Sequence, residues 1–83
     1  AQFALLQVPV RIGRGEEAQV RLETDLHVSR RHAEIYQQGA EIYIRDLGSM
    51  HGTAVNGETI SSRSLRSGDR ITVGDSVLQF LCR

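Results

Sequence analysis

Apolar and polar residues alternate with a period of two along most of this chain, in short runs parted by glycine-bearing turns. No stretch carries the three-to-four spacing of an amphipathic helix. The runs 2–7 (QFALLQ) and 8–12 (VPVRI) read as strands around Pro9, which suits a sheet edge or a bulge. A third run, 18–22 (AQVRL), alternates cleanly. In 32–37 (HAEIYQ), Ala33 and Ile35 fall on one face, with His32, Glu34 and Tyr36 on the other. The run 39–47 (GAEIYIRDL) follows a glycine turn and sets Ile42 and Ile44 on one face. The Gln37-Gln38-Gly39 link between these two runs is short enough for a hairpin. A short strand over 53–57 (TAVNG) ends in Asn56-Gly57, a strong tight-turn signal. The segment 66–83 reads as a hairpin: Ile71 and Val73 alternate, Gly74-Asp75 turns, and Val77, Gln79 and Leu81 oppose Leu78, Phe80 and Cys82.

Many short strands at this spacing predict an all-β sandwich of two sheets. Four segments remain as loops: 14–19, 23–32, 46–53 and 60–69. In a sandwich such loops gather at the ends, where binding residues usually sit. No internal repeat, linker or low-complexity segment interrupts the 83 residues, which suit one small domain. At this size folding buries only about 60% of the surface of the unfolded chain.

Charge narrows the functional classes. Ten basic and ten acidic residues give a formal net charge of +0, which argues against broad affinity for nucleic acid. All ten basic residues are arginine, so any anion site here is an arginine site. No apolar run is long enough to span a bilayer and no secretory leader pattern opens the chain. The single cysteine, Cys82, has no internal disulfide partner and reads as a half-buried thiol, consistent with an intracellular setting, cytoplasmic or nuclear.

Several candidate chemistries are weak. GRGEEA (13–18) formally matches a dinucleotide fingerprint, but no helix pattern follows and two glutamates stand where a pyrophosphate needs positive potential. Ser29, His32 and Asp46 have the residue types of a hydrolase triad without a nucleophile-elbow pattern. His27, His32, His51 and Cys82 lack the close-paired spacing of zinc ligands, so no metal is expected. Arg14, Ser29, Arg30 and Arg31 form the better constellation, since guanidinium, hydroxyl and loop amides hold a phosphate monoester. On residue types alone the plainer reading is a solvated basic turn, with Arg14 paired to Glu16 or Glu17. In 46–57 (DLGSMHGTAVNG), Gly48 and Gly52 suit conformations that other residues avoid, and Ser49 and Thr53 suit bonds to local backbone.

Four blocks in order, 12–15 (IGRG), 28–35 (VSRRHAEI), 46–57 and 65–74 (LRSGDRITVG), resemble the forkhead-associated (FHA) domain family over about residues 8–80. The resemblance implies a sandwich of two twisted, mostly antiparallel sheets, no catalytic activity, no cofactor, and recognition of phosphothreonine-containing protein segments by loops at one end. It assigns the phosphopeptide contacts to Arg14, Ser29, Arg30, Arg31, Ser49, Met50 and His51. Support of the site falls to Gly13, His32, Asp46, Gly52, Thr53 and Asn56. His32 braces the loop from behind, and the Gly52-Thr53 turn floors a shallow pocket for the threonine methyl. The chain departs from the family pattern in two places: Met50 replaces a hydroxyl residue, and His51 replaces the asparagine that holds the peptide main chain. The family also has a further strand before 2–7, so the chain is expected to be a piece of a larger protein or to lack that strand. As an isolated domain it is expected to be monomeric, with no affinity for membranes. The alternative is an FHA fold that binds an unphosphorylated partner through a sheet face.

Overall fold

The computed structural model describes the backbone of residues 2–4 and all of 9–81. Ten strands follow in order: β1 (Gln2–Ala4), β2 (Val10–Gly13), β3 (Val20–Arg21), β4 (Ala33–Gln38), β5 (Glu41–Asp46), β6 (Thr53–Val55), β7 (Glu58–Ile60), β8 (Ser62–Ser64), β9 (Arg70–Val73) and β10 (Ser76–Leu81). They form two five-stranded sheets, ordered β1-β10-β9-β6-β7 and β3-β2-β4-β5-β8. Most pairings are antiparallel. The exceptions are the parallel edge pairs β1–β10 and β2–β3.

The period-two pattern explains the packing. Val10, Ile12, Ala33, Ile35 and Ile44 of one sheet meet Val55, Ile71, Val73, Leu78 and Phe80 of the other. Val28 and Leu65 close the core from loops. Alternate side chains of each strand point inward, so the core is the sum of the apolar faces read from the sequence. Among the described residues three polar ones are buried as well, His32, Glu34 and Thr53, and the first two lie on the face read as polar. Glu34 lies on the outer face of β4 yet is 7% exposed, because Arg11 and Arg45 cover its carboxylate from the neighbouring strands. Arg45 also lies over the Tyr36 ring, which stacks on Tyr43.

The turns obey the signals carried by glycine. The β4–β5 hairpin turns at Gly39-Ala40 with Gln38 opposite Glu41. Asn56 and Gly57 both take positive φ, 50° and 85°, the two-residue turn that matches strand twist. Strand bounds differ from expectation where local structure intervenes. Only Val20–Arg21 of the run 18–22 is strand: Ala18 closes a turn onto the Gly15 carbonyl, and the Gln19 side chain, not its backbone, accepts the Arg11 amide. The expected loop 60–69 contains β8 and follows β7. Residues 1, 5–8, 82 and 83 lie outside the described residues, and with them the rest of the first predicted strand and the Cys82 thiol.

Candidate functional site

The site is built where β2 ends, β4 begins, β5 ends and β6 begins. Because β2 and β4 pair antiparallel, with Ile12 opposite Ala33, the chain leaving β2 runs beside the chain entering β4. Two backbone bonds continue the pairing: the Arg14 amide donates to the Ser29 carbonyl (3.0 Å) and the Gly15 amide to the Arg30 carbonyl (3.2 Å). Gly13 permits this approach, since a Cβ there would be driven into the Arg30 carbonyl.

His32 fixes the next layer. It is wholly buried. Its Nδ1 accepts the Ser29 amide (3.0 Å) and its Nε2 meets the Gly52 carbonyl (2.7 Å). An amide donor on one nitrogen and a carbonyl acceptor on the other require the neutral tautomer protonated at Nε2. One imidazole thus ties the 22–32 loop to the 47–52 loop.

Asp46 organises the second loop. Its Oδ2 accepts the amides of Gly48 and Ser49, both at 3.0 Å. Its Oδ1 accepts the hydroxyls of Ser49 and Thr53. The Ser49 Oγ in turn accepts the Gly52 amide (2.9 Å). Burial pushes the Asp46 carboxyl up, but these hydroxyl and amide donors outweigh it and hold the group below the usual carboxylate range.

Between the loops lies a shallow groove of about 240 Å³, walled by Arg14, Ser29, Arg30, Met50 and His51, with Leu26, His27 and Val28. The Ser29 Oγ accepts the Met50 amide (3.1 Å), which clips the loops together and leaves the hydroxyl proton free to donate. The Arg14 Nε is buried and has no hydrogen-bond partner among the described residues. Buried donors without partners are uncommon and costly.

The remaining candidate residues fall as follows. Arg14 is not the partner of Glu16 or Glu17; Glu17 pairs with Arg31 at 3.1 Å, which turns Arg31 out of the groove. Arg30 alone of the two lines it. The Ser49 hydroxyl is spent within its own loop, so Ser49 supports the groove rather than lining it. Gly52 and Thr53 border an adjacent hollow of about 80 Å³ that shares His51 with the groove. Asn56 stands at the far end of β6, bonded to Asp69 and to the Arg70 backbone. Ser29, His32 and Asp46 form no relay, since the imidazole takes the serine amide and the carboxylate goes elsewhere.

Sequence reasoning also missed part of the wall. Asp25 accepts the amides of His27 (3.0 Å) and Asp75 (2.9 Å) and the Ser76 hydroxyl (2.7 Å). The His27 Nδ1 lies 2.7 Å from the Asp75 carboxylate, whose hydrogen bond and charge raise the imidazole pKa. The His27 ring then meets His51 edge to face, centroids 5.1 Å apart. The β9–β10 turn thereby buttresses the groove across some fifty residues of sequence, a separation that no local motif reveals.

Comparison with known proteins follows the same lines. The FHA domain profile matches residues 10–74. The chain is 40% identical to the glycogen accumulation regulator GarA of Mycolicibacterium smegmatis over 81 residues, 98% of this chain and 51% of that protein. It thus spans about half the length of the curated relatives it matches. A structure solved for the structural and functional analysis of phosphothreonine-dependent FHA domain interactions superposes with a TM-score of 0.80 at 42% identity, covering 88% of this chain and 75% of that one. The FhaA FHA domain, complexed with the intracellular domain of Rv3910, gives 0.81 at 41% identity, covering 90% and 81%.

Proposed function

The chain belongs to the FHA domain family, and on that premise we propose that it is a phosphothreonine-reading module, without catalytic role, which docks partner proteins after a kinase has marked them. The observation that carries this reading is the Arg14 Nε, buried and without a partner among the described residues, at the wall of a groove it shares with the Ser29 hydroxyl. A phosphate dianion supplies what is missing there: three acceptor oxygens and a charge near −2.

In this reading Arg14 donates to two phosphate oxygens in the bidentate geometry suited to a guanidinium. The Ser29 hydroxyl donates to the same group while its oxygen keeps the Met50 amide. Arg30 adds charge from the groove wall. His51, between the groove and the adjacent hollow, holds the peptide main chain. The hollow at Gly52-Thr53 takes the threonine methyl, which disfavours phosphoserine. Each charge-assisted bond contributes about 1.5–3 kcal/mol. Ordering a flexible peptide offsets much of that, so binding falls in the low-micromolar to sub-micromolar range. An intracellular setting goes with this role, as does the intracellular partner of the FhaA FHA domain.

Fluorescence anisotropy with degenerate phosphothreonine, phosphoserine and unphosphorylated peptide libraries tests the reading. Saturable binding of the phosphothreonine library alone is expected. Equal binding of all three, or of none, contradicts it.

A further inference from the structure

One wall of the groove carries titratable side chains that take no part in holding the phosphate. His27 lines the groove together with Arg14, Arg30 and His51. Its Nδ1 lies 2.7 Å from the carboxylate of Asp75, a residue of the β9–β10 turn 48 positions further along the chain. On its other side the His27 ring meets His51 edge to face, centroids 5.1 Å apart. An imidazole thus stands between a fixed negative charge and the place where a dianion is to bind.

The backbone holds this arrangement in place. Asp25 accepts the His27 amide, the Asp75 amide and the Ser76 hydroxyl, so one carboxylate ties the loop that carries His27 to the turn that carries Asp75. Gly74 permits the approach: it has a φ of 58°, and a Cβ there would come within 2.8 Å of the Val28 side chain and 2.9 Å of the Asp25 carboxylate. The charged and titratable groups around His27 are Asp25 from its own loop, Asp75 from the turn, His51 from the 47–52 loop, and Arg14 and Arg30 on the same groove. The Asp75 hydrogen bond, and then its charge, raise the His27 pKa toward neutral pH, where histidine can respond to its surroundings. While His27 is neutral, the Asp75 charge beside the groove has no counter-charge from it. Once His27 is protonated, that charge is cancelled. The groove therefore becomes more positive by one charge as pH falls, and a phosphate dianion binds in that field.

We propose that His27 is a pH-sensitive switch on the groove, strengthening phosphopeptide binding when it takes up a proton, and that Asp75 is the positioning residue that holds its imidazole there. The inference rests on the phosphothreonine reading and adds the regulation of that same groove. The coupling is reciprocal, so a bound phosphate holds the His27 proton more tightly. Protonation of the phosphate itself, with a pKa near about 6, opposes the gain at the acid side. Affinity thus passes through a maximum between the two titrations.

The test is a titration of one phosphothreonine peptide, the tightest binder of the degenerate library, between about pH 5.5 and about pH 8.5, a range that spans the ordinary histidine pKa. It uses the wild-type chain and the variants His27→Gln and Asp75→Asn, with a thermal melt to confirm that each folds and proton NMR to follow the His27 and His51 rings separately. Dividing the wild-type affinity by that of His27→Gln removes the titration of the phosphate. The quotient should rise about threefold as pH falls through the His27 midpoint, as for two charges several ångströms apart in a largely aqueous groove. Saturating peptide should move the His27 midpoint upward. In Asp75→Asn the rise in affinity should begin at lower pH, whereas a purely structural loss would weaken binding equally at every pH. A flat quotient, a His27 midpoint unmoved by saturating peptide, or a rise unshifted in Asp75→Asn overturns the switch. In each of these cases phosphothreonine-dependent binding would still stand. Loss of wild-type binding to phosphothreonine peptides at every pH would overturn both together.

Discussion

At the scale of single residues, the site depends on groups whose hydrogen bonds are fully assigned and on one that is not. His32 is the most demanding of the first kind. Replacing it with alanine strands the Ser29 amide and the Gly52 carbonyl inside the protein, each at about 1–3 kcal/mol. His32→Ala is expected to destabilise the fold by about 2–5 kcal/mol in urea titration and to weaken peptide binding in what remains folded. His27 behaves differently, being exposed and tied to Asp75. Because that partner raises its pKa, the folded imidazole stays charged to higher pH than a free histidine, about 6.5. The attraction stabilises the fold below that value and is lost as pH rises through the folded pKa. Proton NMR of the ring should show a midpoint above about 6.5 that returns toward it in Asp75→Asn. Phosphate opposes this at the acid side: with its second pKa near about 6, peptide affinity should fall as pH drops below that.

At the scale of elements, the strands that carry the core were legible because their apolar positions repeat every second residue. Ile12, Ala33, Ile35, Ile44, Ile71, Val73, Leu78 and Phe80 fall inside as the alternation requires. β8 was not legible. Ser62, Arg63 and Ser64 have no apolar face, and backbone pairing to β5 at the sheet edge makes the strand. The site divides in the same way. Arg14, Ser29 and His32 stand in a recognisable order along the chain. Leu26, and the Asp25–His27–Asp75 cluster behind it, become neighbours only when the β9–β10 turn folds against the 22–32 loop. The Arg31–Glu17 pair and the inward hydroxyl of Ser49 likewise depend on side-chain directions that residue type does not specify. One backbone contact can be tested alone. Gly13→Ala pushes a methyl group into the Arg30 carbonyl, so it should cost about 1–3 kcal/mol by thermal melt and weaken phosphopeptide binding beyond that loss.

At the scale of the whole molecule, two sheets of unremarkable packing hold four connections at one end, and the binding groove is a property of those connections. Among the described residues, three carboxylates within that frame sit below their usual range. The Ser76 hydroxyl is the main cause at Asp25; burial raises Glu34 and Asp46, but Arg45 and Arg11 overcome it at Glu34, and hydroxyl and amide donors overcome it at Asp46. A depressed folded pKa contributes stability above the unfolded value, about 4, that is lost as pH falls through the folded value. These groups should therefore make stability decline below about pH 4, apart from the loss at His27 as pH rises through its folded pKa, and Asp46→Asn should flatten the acid decline. The central claim is that the groove at Arg14 and Ser29 receives a phosphothreonine, and a titration of the ¹⁵N-labelled chain with a phosphothreonine peptide, followed by NMR, tests it most directly. The account predicts that the Arg14 Nε–H signal moves downfield and that the Ser29, Arg30 and Met50 amides shift with it to saturation, while an Arg14→Ala variant keeps its spectrum and shows none of this. Shifts confined to the outer sheet face around Arg11, Tyr36 and Arg45, or an unmoved Arg14 signal at saturating peptide, would contradict it.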